Sequence, residues 1–532
     1  MPDMPQHLRP AKTSYDEVPY SSHPFVQTHP DRLATVAILF GLRPPPLQRC
    51  RVLELGCASG GNLVPMAEQL PQSRFIGIDL SARQIADGQQ VVQQLGLTNI
   101  ELRHASILEV DDSYGKFDYI ICHGVYSWVP SAVQDKILEV CRRNLAPQGT
   151  AYVSYNTYPG WHMRGLIRSM MRYHAEKFTA PRDRTSQARA LIDFLATSVN
   201  QDGSAYAMLL KSELESLQRQ ADSYLFHEHL EDVNDPVFFH EFIERARAKG
   251  LQYLGEASVG TMAMSNFQPD VAKTLRMLAP DQIQAEQYMD FLRNRTFRQT
   301  LLCHQEAPVN WSAPLEQLRR LHIASRSVAV SEPVDCRGKE TVTYKSPSGR
   351  TLATANLLLK AALQCLKESW PQALPFESLR ERAHARVGES DNVRSPGTDD
   401  QRLLEGGLLH AYIGSDLLEL HSCPLDCAVS VGSRPVVSPL ARLQAKQGPF
   451  VTNRRHEAIR LHDLERKLLT ILDGQHDRPA LLRDLVDAST SGMIEVKHGE
   501  VVLQDPIAIQ AALDSILDQC LKELLLKSLL VA

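Results

Sequence analysis

The hydrophobic pattern divides the chain at about residue 165. Before that point short, nearly continuous apolar runs alternate with amphipathic stretches. RVLEL (51–55), RFIGIDL (74–80), Ile100 to His104, FDYIIC (117–122) and TAYVSY (150–155) read as buried strands. Helices are expected over Asn62 to Leu70, Ser81 to Leu95 and Ser131 to Leu145; Ser81 is a natural N-cap for the second and Gly96 its stop. Another helix opens at Pro30, with Asp31 at the positive end of its dipole. Leu33, Val36, Ala37 and Phe40 share one face of it, and Gly41 and Pro44 to Pro46 end it. This βαβα rhythm predicts an α/β Rossmann-like domain: a mostly parallel sheet with helices on both faces.

Beyond residue 165 long helical stretches dominate as far as Ser325. The spacing of Phe238, Phe239, Phe242 and Ile243 predicts an amphipathic helix with Asp235 as N-cap and Gly250 as stop. Val328 to Arg350 is polar and β-leaning, a linker or the first strand of a new domain. A helix–break–helix pattern then occurs twice. Leu357 to Ala383 is followed by the strand-like Leu417 to Cys423. Asp463 to Val486 is followed by a hairpin, Met493 to Leu503, turning at His498-Gly499. Helix pair plus hairpin is the winged-helix pattern. The expected organisation is therefore a ligand-binding α/β domain with an N-terminal lid over residues 1–165 and a mainly helical domain over 166–330. Two winged-helix-like α+β modules follow, over 331–445 and 446–532.

The first strand runs into Glu54-Leu55-Gly56-Cys57-Ala58-Ser59-Gly60-Gly61-Asn62 and then a helix. Such a turn brings backbone N–H groups close to a ligand, and Gly56 lets the ligand approach without a Cβ in the way. In dinucleotide enzymes this place reads GxGxxG and holds a pyrophosphate. Here Glu54 precedes the first glycine. An acid there repels a pyrophosphate and attracts a cationic ligand end, which favours S-adenosylmethionine, a ligand with an α-amino group and a sulfonium but no phosphate. Asp79 ends the second strand, 23 residues after Gly56, where a carboxylate can accept hydrogen bonds from both ribose hydroxyls. Ser106 and Ile107 follow the third strand, where a short polar side chain can meet the adenine edge.

VLELGCASGGN and FIGIDLS resemble motif I and the ribose-binding motif of class I S-adenosylmethionine-dependent methyltransferases. FDYIICHGVYSWVP and LAPQGTAYVSYNTYPGW resemble the motifs at the fourth and fifth strands. Two positions depart from the pattern: Ala58-Ser59 stand where this class often has Gly and an acid or Ser, and Ser106 stands where many members have Asp. YDEVPYSSHPFVQTHPDRLATVAILFGL, SYNTYPGWHMR and YMDFLRNRTFRQTLLC together resemble bacterial methyltransferases with a methyltransferase regulatory domain, a group that includes the rickettsial protein lysine methyltransferases. The resemblance implies methyl transfer, with protein lysine favoured as acceptor. Methyl transfer is an in-line displacement in which the enzyme aligns nucleophile and methyl and excludes water. A lysine nucleophile must first lose its proton, which an apolar aromatic pocket assists.

The cofactor-binding residues expected on this reading are Tyr15 and Tyr20 as a lid, Glu54, Gly56, Cys57, Ala58, Gly60 and Asn62 at the turn, and Asp79, Leu80, Ser106, Ile107, His123 and Gly124 at the following strand ends. The catalytic candidates are Tyr126, Asn156, Tyr158 and Trp161. His123 reads as a structural or cofactor-contacting histidine rather than a base; Trp128 is as readily packing as site. Arg293, Arg295 and Arg298 read as a solvated, ion-paired helix face. Tyr224, His227 and Glu228 in YLFHEHL read as structural rather than as reaching the site mouth, and Arg454-Arg455 as an exposed loop.

Composition narrows the alternatives. Among 532 residues, 57 Lys+Arg against 62 Asp+Glu give a net charge of -5, which weighs against a dedicated nucleic-acid binder. The sequence has neither an apolar run of membrane-spanning length nor a signal-peptide core near its start, so a cytoplasmic protein is expected. Ten scattered cysteines do not make a disulfide framework, and Cys423/Cys427 (CPLDC) read as free thiols rather than a zinc site. No metal is expected. The partner expected is a protein substrate, with a homodimer left open. Two other functions stay open: a small-molecule methyltransferase, and a non-catalytic cofactor sensor with a DNA-binding winged-helix tail.

Overall fold

The computed structural model describes residues 22–199, 203–218, 220–388, 398–498 and 501–531. Its central sheet has seven strands: β1 (Arg51–Leu55), β2 (Arg74–Asp79), β3 (Ile100–His104), β4 (Phe117–Cys122), β5 (Leu145–Asn156), β6 (Leu251–Glu256) and β7 (Phe297–His304). Their order is β3-β2-β1-β4-β5-β7-β6. The first five pair in parallel. β7 adds antiparallel to β5, and β6 antiparallel to β7. β1 has neighbours on both sides and is buried from Val52 to Leu55, which is why it reads as a continuous apolar run. Strand order reverses between β1 and β4, and the crevice at the carboxyl ends of those strands is where open α/β sheets bind ligands.

Four helices accompany this half: α1 (Pro30–Leu39), α2 (Leu63–Gln69), α3 (Ala82–Leu95) and α4 (Ser131–Asn144). Ser81 Oγ caps α3 by accepting from Gln84 N at 3.3 Å, and Gly96 ends it at φ +64°. α1 is buried on all sides apart from Arg32, not on one face. It is wedged between the sheet and the C-terminal half, where Asp31 accepts from His421 Nδ1 at 2.7 Å and from Ser422 N at 2.6 Å.

The middle of the chain is mainly helical. α5 (Gly160–Ala175), α6 (Pro181–Ser198) and α7 (Ala205–Leu217) close over a small core of their own around Ile167, Met171, Ile192 and Leu210. α8 (Phe239–Ala248), α9 (Pro269–Leu278) and α10 (Gln282–Arg293) surround β6 and β7. Asp235 is not the cap of α8. Phe238 holds that position, Glu241 accepts from its N–H at 3.2 Å, and the Asp235 carboxylate instead accepts from Gln134 Nε2 at 3.2 Å.

The arginine cluster is also placed differently from the sequence reading. Asn294 adopts a left-handed φ of +48° and ends α10, so Arg298 falls on strand β7 and points into the interior. It is fully buried, 2.8 Å from Asp290, 2.9 Å from Glu256 and 3.0 Å from Glu286, with Arg295 2.7 Å from Glu256. Ion pairing is present, but in the core rather than on a solvated face. Five charged groups in a dry site hold each other by mutual neutralisation.

The C-terminal region has two parts. Helices Leu357–Ser369 and Phe376–Val387 pack with the three-stranded sheet of Leu374–Pro375, His322–Ala324 and Glu419–His421, on a core continuous with that of the central sheet. The last hundred residues close around a separate core that includes Leu468, Leu481, Leu513 and Leu530. There Asp463–Ile471, Arg478–Thr490, the paired strands Lys497–His498 and Val501–Val502, and Pro506–Leu526 follow in winged-helix order. Gly499, expected in the hairpin turn, lies outside the described residues.

Arg298→Ala is expected to destabilise the fold by about 3–5 kcal/mol, because three buried carboxylates lose their counter-charge. Urea unfolding of the full chain checks this; a loss below about 1 kcal/mol would show that the charges are met some other way.

Candidate active site

A cavity of about 800 Å³ opens at the carboxyl ends of β1, β2 and β4. Its floor is the turn after β1. Gly56 has φ +76°, and a Cβ there would stand 2.5 Å from Val125 Cγ2, so the sheet end tolerates no side chain. Ala58 takes a left-handed φ of +49°, a strained position for a residue with a Cβ. Its N–H donates to Asp79 Oδ2 at 2.8 Å, while Ser81 N donates to Asp79 Oδ1 at 2.9 Å. These two bonds fix the Asp79 carboxylate at the rim.

Glu54 is the buried acid of the floor. Asn62 Nδ2 donates to its Oε1 at 2.7 Å, whereas its Oε2 is buried with no hydrogen-bond partner among the described residues. Burial raises its pKa to about 7, the Asn62 hydrogen bond opposes the rise, and Asp79 adds to it. His123 also lines the cavity. Its Nδ1 meets Tyr152 Oη at 2.8 Å, Phe25 covers its ring at 3.9 Å between centroids, and burial lowers its pKa to about 4, leaving it neutral.

The structure brings most of the expected residues to this cavity. Glu54, Gly56, Cys57, Ala58 and Asn62 line it from the turn; Asp79, Leu80, Ser106 and Ile107 from β2 and β3; His123, Gly124 and Asn156 from β4 and β5. Ser106 also accepts from Leu108 N at 3.2 Å and caps the turn after β3.

Four expected residues lie elsewhere. Gly60 is behind the turn, facing Leu102 and Val64. Tyr126 is in the core, edge-on to Phe242 at 5.2 Å and beside Tyr155. Trp161 is buried edge-on to Trp128 at 6.2 Å. Tyr158 stacks on His162 at 4.2 Å, outside the cavity wall. Each is an aromatic or small residue absorbed by packing after a strand end. Tyr15 and Tyr20 lie outside the described residues, but Ser22 and Phe25, next along the chain, line the cavity. Ser22 Oγ accepts from Gly61 N at 2.7 Å, and a Cβ on Gly61 would come within 2.5 Å of the Ser22 carbonyl oxygen.

The far wall comes from the helical insert. Arg164, Tyr224, His227, Glu228 and Glu231 line it, against the sequence reading of YLFHEHL as structural. Phe226–Leu230 forms a π-helical turn, a rare geometry that recurs at functional sites. The signal in the sequence was the density of His and acids in an otherwise apolar helix. Burial raises the Glu228 pKa to about 7, with Arg164, His227 and Arg168 opposing the shift. His227 Nδ1 pairs with Glu231 at 2.8 Å.

Three family models match the chain: a methyltransferase domain over residues 47–186, a predicted methyltransferase regulatory domain over 221–304, and a PKMT C-terminal winged helix domain over 433–529. The structure of PKMT2 from Rickettsia typhi in complex with AdoHcy is 34% identical, with a TM-score of 0.86 over 97% of this chain and 100% of that one. An uncharacterised protein of Rickettsia prowazekii is 37% identical over 97% of this chain and 93% of its own length. The chain belongs to the PKMT family of methyltransferases. It is an S-adenosylmethionine-dependent enzyme, which sets aside the reading as a non-catalytic regulator.

For a carboxyl whose folded pKa lies above the unfolded one, stability is fully present at acid pH and falls as pH rises from about 4.5 to about 7. Wild type is therefore expected to lose stability across that window, and Glu54→Gln to lose less, by about 3 kcal/mol at most. Thermal melts of both proteins at pH 5 and pH 8 measure the difference; parallel profiles would contradict the assignment.

Proposed function

We propose that the cavity binds S-adenosylmethionine at the Glu54–Asp79 end and a protein lysine at the Glu228 end. The observation that carries the reading is the buried Glu54 Oε2, without a partner among the described residues, in a turn that also carries Asp79. An unsatisfied buried carboxylate oxygen fits an ammonium group and excludes a phosphate. Asp79, held by two backbone N–H groups at the end of β2, is placed to accept from the ribose hydroxyls. Leu80 and Ile107 flank a slot for adenine, with the Ser106 hydroxyl as a hydrogen donor.

When bound, the cofactor supplies a methyl group on a sulfonium, open to in-line displacement. The chain's own residues must hold the acceptor and take its proton. Trp128, Tyr224 and Phe297 give the cavity aromatic faces that attract a cation. Glu228 is the acid there, and with a proton affinity near neutrality it can pair with a lysine ammonium and accept its proton. Asn156 orients the wall between the two ends: its N–H donates to Ser127 Oγ at 2.9 Å and its Nδ2 to Asn234 Oδ1 at 3.2 Å. Among the described residues no helix is long and apolar enough to cross a membrane. The reading places the enzyme in the cytoplasm.

Calorimetry is expected to show S-adenosylmethionine binding to wild type and a loss of roughly 10- to 100-fold for Asp79→Ala, the effect of losing charge-assisted hydrogen bonds. Equal affinities would contradict the ribose assignment. With radiolabelled cofactor and native lysate, label should enter protein, and acid hydrolysis should return it as methyl-lysine. Label confined to small molecules would overturn the acceptor. Glu228→Gln should lower kcat on the labelled protein by about 100-fold while leaving cofactor affinity intact.

A further inference from the structure

We infer that His456, from the C-terminal winged-helix region, is a positioning residue for the cofactor site, holding Asn62 so that its amide faces Glu54. His456 occupies the tight turn between the paired strands Phe450–Thr452 and Ala458–Arg460. It lies 394 positions from Asn62 in sequence, yet its Nε2 stands 2.8 Å from Asn62 Oδ1. Asn62 Nδ2 in turn donates to Glu54 Oε1 at 2.7 Å. A relay of two hydrogen bonds thus runs from the last domain to the buried acid of the first.

The direction of the relay follows from the donors. Asn62 Oδ1 also accepts from Phe25 N at 2.9 Å, while Thr28 Oγ1 donates to Phe25 O at 2.8 Å and accepts from Asn62 Nδ2 at 3.0 Å. The backbone N–H of Phe25 can only donate, so the amide atom facing it is the carbonyl oxygen and the NH2 side points at Glu54. His456 Nε2 therefore carries its proton. Its Nδ1 is buried with no hydrogen-bond partner among the described residues, and burial holds the ring neutral, its pKa well below the ordinary histidine value. The turn is built to present this ring. His456 has φ +61°, Asn453 Oδ1 accepts from Arg455 N and Glu457 N, both at 2.9 Å, and Asn453 Nδ2 donates to Lys527 O at 2.9 Å. The same face of α2 is held twice more: Gln69 Nε2 donates to Asn453 O at 3.2 Å, and Glu68 accepts from Leu440 N at 2.7 Å.

This inference rests on the reading of Glu54 as the partner of the cofactor's ammonium. Removing the His456 bond loosens the amide that stabilises the Glu54 carboxylate. The groups facing Glu54 are then Asp79 at the end of β2 and the thiols of Cys57 and Cys122. None of them replaces a donor. His29, which faces His456 at 5.1 Å between ring centroids, is neutral with a pKa lowered to about 4.

The test uses full-length His456→Asn, which accepts the left-handed backbone but is too short to reach, and His456→Gln, whose amide nitrogen can stand in for Nε2. S-adenosylmethionine titrations across pH 6 to 8.5, with thermal melts alongside, are compared with wild type and Glu54→Gln. His456→Asn should weaken binding roughly tenfold at neutral pH and move the midpoint of its pH dependence upward by about half a unit, and His456→Gln should recover most of both. By reciprocity, the cofactor should slow amide exchange in residues 450–460 of wild type and not of His456→Asn. Affinity and midpoint equal to wild type in a folded His456→Asn would overturn the inference alone. Wild-type binding that ignores Glu54→Gln would overturn the site reading and the inference with it.

Discussion

The site depends on one electrostatic constraint: a carboxyl group kept at the inner end of β1 with one oxygen buried and without a hydrogen-bond partner among the described residues. Such a group is costly to bury, and the cost shows in its raised proton affinity. Asn62 supplies one bond, and Gly56 lets the turn pass against Val125 where a Cβ would not fit. The proposed contact with an ammonium group rests on that orphan oxygen.

A second buried charge system does the opposite. Around Arg298 every carboxylate is met at close range, and the result is a rigid joint between β6, β7 and α10. That joint lets a helical insert of some ninety residues leave the sheet after β5 and return to it with its far wall aimed across the cavity. The two systems show the same residue types used in two ways: saturated charge for architecture, unsaturated charge for recognition.

The five parallel strands were legible because strands buried on both faces read as apolar runs, and because Gly96 and Ser81 mark helix ends by local chemistry; β6 and β7, which come from the stretch read as mainly helical, were not. The Glu54–Asp79 end of the cavity was legible for a related reason: its residues follow strand ends in sequence. The Glu228 end was not. Glu228 reaches the cavity through tertiary placement of a π-helical turn, and nothing in the periodicity of YLFHEHL says which way it faces. Arg298 was misread because its polarity mimics exposure when its three partners come from β6 and α10. Arg455, expected in an exposed loop, is likewise buried against Glu419. Tyr126, Trp161 and Tyr158 show the converse error, in which aromatics at strand ends serve packing.

The winged-helix region closes around its own core, yet Asn62, Glu68 and Gln69 of the first domain find partners in it. A shortened chain ending before residue 428 would retain all seven strands and still carry a bare polar seam along α2. The C-terminal module is therefore a structural wall of the first domain as well as a fold with a core of its own.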